Sequence, residues 1–196
     1  EKLESFVTEI QPYLTGKSSV PTDDDPFWNI EGAAFFCWTI MTTIGYGSYT
    51  PYSDAGKVFV VFYTIVTVPL FLVSLAVLSA SLARGAKAVA AHLHKDYDGF
   101  VHGKYYAFGM VLLSLLYIFG LAIPFAVLHG WSYLDGVYFS LISLTTIGLG
   151  DFTPTLDEKQ IFGFILYSSL GLLLIGAGVS SVQHAYEEWG DRVSKK

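Results

Sequence analysis

Thr42-Thr43-Ile44-Gly45-Tyr46-Gly47 returns 103 residues later, without a gap, as Thr145-Thr146-Ile147-Gly148-Leu149-Gly150-Asp151. Glycines at every second position permit backbone dihedrals that other residues resist. Successive carbonyl oxygens can then turn toward one axis and stand in for the water shell of a dehydrated cation. The threonine before each run adds a hydroxyl at the inner end of such a column. A pair of these segments in one apolar chain points to a potassium filter.

The composition places those segments in a membrane. Of the 196 residues 53% are hydrophobic and only 14% charged. Val58–Ala83, Tyr105–Leu128 and Ile161–Val182 contain no charge at all. Each is long enough, as a helix, for a hydrocarbon core of about 30 Å. Three spanning helices are expected. Between the first two, Arg84, Lys87, Lys95 and Lys104 outweigh Asp96 and Asp98, and the chain ends on Arg192, Lys195 and Lys196. Basic residues collect on the cytoplasmic side, so the linker 84–104 and the C-terminal tail are expected inside. The other polar segments, 1–57 and 129–160, hold twelve acids against four lysines. Both glycine segments thus face outward, in a negative vestibule that concentrates cations. The single cysteine, Cys37, cannot form an intrachain disulfide and reads as packing.

The repeat extends past the glycines. At the same offset Trp28 matches Trp131, Phe36 matches Phe139, Thr50-Pro51 matches Thr153-Pro154, and Phe59 matches Phe162. A module has been duplicated in one orientation. In the second copy it runs outer span, short helix Asp135–Thr145, glycine strand, inner span. In the first it runs short helix Gly32–Thr42, glycine strand, inner span. An outer span before the first copy is not legible in residues 1–26, so such a helix is expected upstream or from elsewhere. Leu3, Phe6, Val7, Ile10 and Leu14 recur at helical spacing, which predicts an amphipathic helix that needs a partner. Thr15–Pro26 is a loop by composition.

These residues, from Phe27 to Val182, resemble the two-pore-domain potassium channels. The resemblance implies an all-α integral membrane fold of tandem pore modules. Its parts are an extracellular cap remnant and loop (1–26), a first pore module (27–83), a cytoplasmic linker (84–104), a second pore module (105–182) and a cytoplasmic tail (183–196). Ile147-Gly148-Leu149-Gly150-Asp151 is most similar to the weakly inward-rectifying branch. Three departures from the family are visible. Ser48 stands where some members carry an acid-sensing histidine, Thr67-Val68-Pro69 replaces a common Gly-Ile-Pro, and the cysteine that can link two caps is not in view.

One glycine strand cannot surround an ion, and two strands per chain require two chains. The expected functional unit is a homodimer of pseudo-fourfold symmetry in a lipid membrane, with potassium as the permeant ion. The ion would meet carbonyls of Ile44, Gly45, Tyr46 and Gly47 and of Ile147, Gly148, Leu149 and Gly150, with the Thr43 and Thr146 hydroxyls innermost. Ser48 and Asp151 stand at the mouth, where the charge is twofold. Asp151 either tunes conduction or is hydrogen-bonded behind the filter. Tyr46 can hydrogen-bond behind its strand, whereas Leu149 can only pack. Pro69, Gly171 and Gly176 are candidate hinges, although small residues in membrane helices also serve close packing.

Other classes fit less well. Only two arginines occur, Arg84 and Arg192, neither in a span, so no arginine-rich voltage sensor is present. His92, His94 and His102 lack the cysteines or acids that would complete a metal site. Gly45-Tyr46-Gly47 lacks the third glycine of a dinucleotide loop, and no nucleophile–base pair suggests an enzyme. No organic cofactor and no nucleic-acid partner is expected. A nonselective or sodium-permeable channel, and a potassium transporter built from pore-loop repeats, remain the alternatives. The expected location is the plasma membrane, with background, passive conduction.

Overall fold

The computed structural model describes residues 28–93, 104–154 and 158–194. The expected cap helix Glu1–Leu14 and its loop lie outside the described residues, as do His94, His102 and much of the linker. Five helices follow in order: α1 (Ile30–Met41), α2 (Asp54–Leu93), α3 (Lys104–His129), α4 (Tyr133–Leu144) and α5 (Glu158–Ser194). Three of them, α2, α3 and α5, are long and apolar enough to cross a membrane. The protein is an all-α integral membrane chain.

Two helices exceed the spans expected for them. α2 has 40 residues, about 60 Å at the helical rise and twice the hydrocarbon thickness. It therefore continues through Arg84 to Leu93, where the sequence suggested a linker. α5, with 37 residues, likewise runs through most of the expected tail. Nothing in Arg84–Leu93 stops a helix, because its alanines and lysine are good helix formers.

The short helices begin two residues earlier than expected, and capping supplies the reason. The Asn29 side chain accepts from the Gly32 amide at 2.8 Å. Ser132 and Asp135 form a reciprocal capping box at the start of α4. Each short helix has 12 residues, about 18 Å, so neither can cross a bilayer.

α5 is the central span, packing against α2, α3 and α4, while α4 also lies along α3. None of the most apolar stretch of α2 is buried, against 44% of that in α5. Interhelical contacts use small residues and hydroxyls, as expected where lipid gives no hydrophobic driving force between helices. Ser114 Oγ donates to the Leu174 carbonyl at 3.0 Å, and Tyr117 Oη to that of Tyr167 at 2.7 Å. A β-carbon on Gly171 would meet Leu144 Cδ2 at 2.5 Å, and one on Gly176 would overlap the Ser79 hydroxyl. Both candidate hinge glycines thus sit at tight helix contacts. Pro69 lies inside α2. The main core, including Phe35, Ile44, Tyr46, Phe125, Phe139 and Phe164, gathers around the two glycine segments.

Candidate functional site

Each glycine segment leaves the C-terminal end of a short helix. The Thr42 and Thr145 hydroxyls turn back to helix carbonyls, Trp38 at 2.8 Å and Leu141 at 2.7 Å. The next residue in each copy starts a different conformation. Thr43, Gly45 and Gly47 have φ of 61°, 59° and 77°, and Thr146, Gly148 and Gly150 have 58°, 55° and 80°. Ile44, Tyr46, Ile147 and Leu149, between them, do not share the positive φ. In an ordinary strand successive carbonyls point to opposite sides; a left-handed residue at every second position turns them to the same side. The segments expected as strands are accordingly not β-strands, and no strand occurs among the described residues.

The cost identifies where the fold invests in this geometry. A threonine is β-branched and resists positive φ, so holding one there costs on the order of 1–3 kcal/mol. Both copies do so at the same repeat position. Backbone hydrogen bonds fix the turn: Gly45 donates to the Thr39 carbonyl at 3.1 Å, and Gly148 to that of Ile142 at 3.0 Å.

The structure brings the two segments together. A β-carbon on Gly148 would overlap the Ile44 carbonyl oxygen, and one on Gly150 would overlap that of Tyr46. The two segments are therefore neighbours, backbone against backbone. Gly45 and Gly47, by contrast, have nothing within 4 Å of the equivalent position. The side chains are also unequal: Ile44 and Tyr46 are 2% and 6% exposed, Ile147 and Leu149 58% and 60%.

The residues behind the segments complete the site. Tyr46 stacks on Phe35 and Phe139 and its hydroxyl donates to Ser143 Oγ at 2.6 Å. Asp151 accepts from Tyr138 Oη at 2.8 Å. That hydrogen bond to the carboxylate raises the pKa of the Tyr138 hydroxyl above its ordinary value. Ser48, at the matching place in the first copy, is exposed. Tyr138 and Ser143 were not singled out from the sequence. The signal was present in the repeat offset, which sets Tyr138 opposite Phe35 and Ser143 opposite Ile40. Trp131, partly buried, packs against the core around the glycine segments. Among the described residues no cluster of His, Cys, Asp and Glu could hold a metal.

A family model described as "Ion channel" matches residues 10–84 and 105–188. The chain is 33% identical over 166 residues to potassium channel subfamily K member 4 of Mus musculus, covering 79% of this chain and 42% of that protein. The chain belongs to the two-pore-domain potassium channel family. The family model is one of ion channels rather than enzymes. It is also 33% identical over 162 residues to potassium channel subfamily K member 17 of Homo sapiens, covering 81% of this chain and 49% of that one. To subfamily K member 1 of Cavia porcellus the identity is 34% over 159 residues, covering 74% and 47%. These near-equal identities single out no branch of the two-pore-domain family. The chain spans about half the length of the curated relatives it matches.

Proposed function

We propose that this chain is a potassium-selective channel subunit that conducts passively as a homodimer, through a filter built from two copies of each glycine segment. The observation that carries this reading is the repeated left-handed alternation at Thr43, Gly45 and Gly47 and at Thr146, Gly148 and Gly150. It supports a column of carbonyls from Ile44–Gly47 and Ile147–Gly150 that replaces the hydration shell of potassium. The Thr43 and Thr146 hydroxyls stand at the inner end, and Ser48 and Asp151 at the mouth. Potassium is favoured as the permeant ion by the names of the relatives, which are potassium channels.

The asymmetry of the two segments supports the dimer. The second segment lies against the first on one flank, while Gly45 and Gly47 face open space and Ile147 and Leu149 are exposed. A twofold-related copy would place its own second segment beside Gly45 and Gly47, and its α1 behind Ile147 and Leu149. Four walls then close, in a closed cyclic assembly. The C-terminal ends of α1 and α4 carry about half a negative charge each and favour a cation below the filter.

The assembly sits in the plasma membrane with filters facing outside and residues 84–104 and the C-terminus in the cytoplasm, in keeping with the charge bias. The domain division follows the repeat, with the cap remnant in 1–26 and pore modules in 27–83 and 105–182. Conduction is of the background type. Of the candidate hinges, Pro69 removes a backbone hydrogen bond from α2 and is the better placed, because Gly171 and Gly176 are occupied in packing.

Reversal potentials of the full-length protein under exchanged potassium and sodium test the reading. The expected reversal follows the potassium gradient. One that ignores it overturns potassium selectivity and favours a nonselective or sodium-permeable channel; flux against a gradient would favour a transporter.

A further inference from the structure

Past its charge-free run α5 stays helical and becomes two-faced. Val182, Tyr186, Trp189 and Val193 recur at helical spacing and are exposed, while His184, Glu187, Glu188 and Asp191 fall between them. Each face borders its own hollow. An apolar groove lies between α5 and the start of α3, lined by Phe108 and Val111 on one side and by Val182, Tyr186 and Trp189 on the other. The charged face, together with α2, lines a cavity of about 310 Å³, within the range of small-molecule sites. Ala185 lines both, so the two hollows meet there.

The cavity carries charge of both signs. Arg84 and Lys87 come from α2, and His184, Glu187, Glu188 and Asp191 from α5. Part of this charge is matched within the protein: Lys87 pairs with Glu188 at 3.0 Å, and His184 Nδ1 lies 3.4 Å from Glu187. Two groups are left over. Arg84 donates to Ser81 Oγ at 3.0 Å and meets no carboxylate, and no base meets the carboxylate of Asp191, among the described residues. An unmatched cation and an unmatched anion therefore line one cavity from two helices.

We propose that this cavity receives the head group of an aminophospholipid, phosphate toward Arg84 and ammonium toward Asp191, while its acyl chains lie in the groove beside Tyr186 and Trp189. The sidedness proposed above makes this a lipid of the cytoplasmic leaflet; the filter reading is not needed. A head group that is only anionic would meet three carboxylates and two bases. One that is only cationic would leave Arg84 unmatched. A guanidinium grips phosphate through two parallel N–H donors, and a primary ammonium offers donors to a carboxylate. Choline offers none. Quaternary ammonium groups are held by aromatic faces instead, and Tyr186 and Trp189 line the groove rather than the cavity. Those two rings, 5.9 Å apart, suit the boundary between head groups and chains, where tryptophan and tyrosine collect.

The test is lipid binding, counted by native mass spectrometry on the purified full-length protein in detergent. Phosphatidylethanolamine, phosphatidylglycerol and phosphatidylcholine with identical chains are titrated in turn. The parent is expected to hold phosphatidylethanolamine several-fold more tightly than either of the others. Asp191→Asn removes the partner of the ammonium and is expected to erase that preference. Arg84→Gln is expected to weaken all three, because each carries the phosphate. Both substitutions are at exposed positions, and melting temperatures near that of the parent in lipid-free detergent show that the fold is intact. Glycerophosphoethanolamine, the head group without chains, is expected to compete far less well than the lipid; equal competition would overturn the role of the groove. Equal binding of the three lipids by the parent, or phosphatidylglycerol held most tightly, overturns the proposal. So does a preference that survives both substitutions. No current is measured, so a channel that proved not to select potassium would leave this result standing.

Discussion

The α-carbon of Gly148 lies against the carbonyl oxygen of Ile44, so closely that a β-carbon would overlap it. Gly45, its repeat partner, has nothing within 4 Å at the equivalent position. Both carry left-handed φ, 55° and 59°, so alanine at either site costs about 1–2 kcal/mol in backbone strain alone. The difference between them becomes a test of assembly. In a lone chain Gly148→Ala meets a collision that Gly45→Ala does not. In the proposed homodimer the second filter of the partner copy would lie beside Gly45, and both variants are then expected to abolish potassium selectivity or current alike. Currents from the two variants, normalised to surface protein, check this. A Gly45→Ala channel that stays selective while Gly148→Ala fails would count against four equivalent walls.

The packing glycines of α5 give a second prediction. A β-carbon on Gly176 would press on Ser79, which itself reaches the Leu173 carbonyl at 3.3 Å. Overpacking of this kind costs about 1–3 kcal/mol. Gly176→Ala is expected to lower the melting temperature in detergent, and adding Ser79→Gly is expected to recover most of the loss. A hinge would behave otherwise. Alanine is the better helix former, so a hinge variant would be no less stable and would be altered in opening only.

Much of this could be read from the letters, and the parts that could not have physical reasons. Charge-free runs located the three spans because no charged residue tolerates the hydrocarbon core unpaired. The glycine spacing marked the two segments of alternating left-handed φ because only glycine takes such dihedrals without strain. Thr43 and Thr146 were assigned by position, yet their own positive φ is a property the tertiary frame imposes on a residue that resists it. The helices α2 and α5 run past their charge-free runs because a span is bounded by membrane thickness, whereas a helix continues until a breaker stops it. The repeat offset sets Tyr138 and Ser143 apart from Phe35 and Ile40, but the partner each meets, 13 or 97 residues away, shows only in the fold.

Helix starts supply a third prediction. Ser132 accepts from the Asp135 amide at 3.2 Å while Asp135 reaches back to the Ser132 amide at 3.3 Å. Ser132→Ala removes half of this box and is expected to cost about 1 kcal/mol. The loss is read from thermal unfolding. Ser132→Asp, which also caps well, is expected to restore stability, and an alanine variant as stable as the parent would show that packing of α4 on α3 alone sets its start.

Beyond the apolar stretches of the long helices, Lys87 on α2 and Glu188 on α5 pair at 3.0 Å, with side chains 39% and 38% exposed. The pair joins two long helices, but its exposure keeps its contribution small. In water-accessible surroundings such a pair is worth about 0–1 kcal/mol, after the entropy of ordering two long side chains and screening by salt. A double-mutant cycle of Lys87→Ala and Glu188→Ala is therefore expected to give a coupling below about 1 kcal/mol that fades at high salt. The helices are held there instead by buried contacts. Ala83 and Ala177 are 3% and 0% exposed, and the Tyr106 hydroxyl donates to the Ala83 carbonyl at 2.5 Å. Tyr106→Phe leaves that carbonyl without its side-chain donor and is expected to destabilise the inner end by about 1–3 kcal/mol, more than the loss of the ion pair. Thermal unfolding of both variants side by side ranks the two contacts, and a larger effect from Lys87→Ala would reverse the order argued from burial.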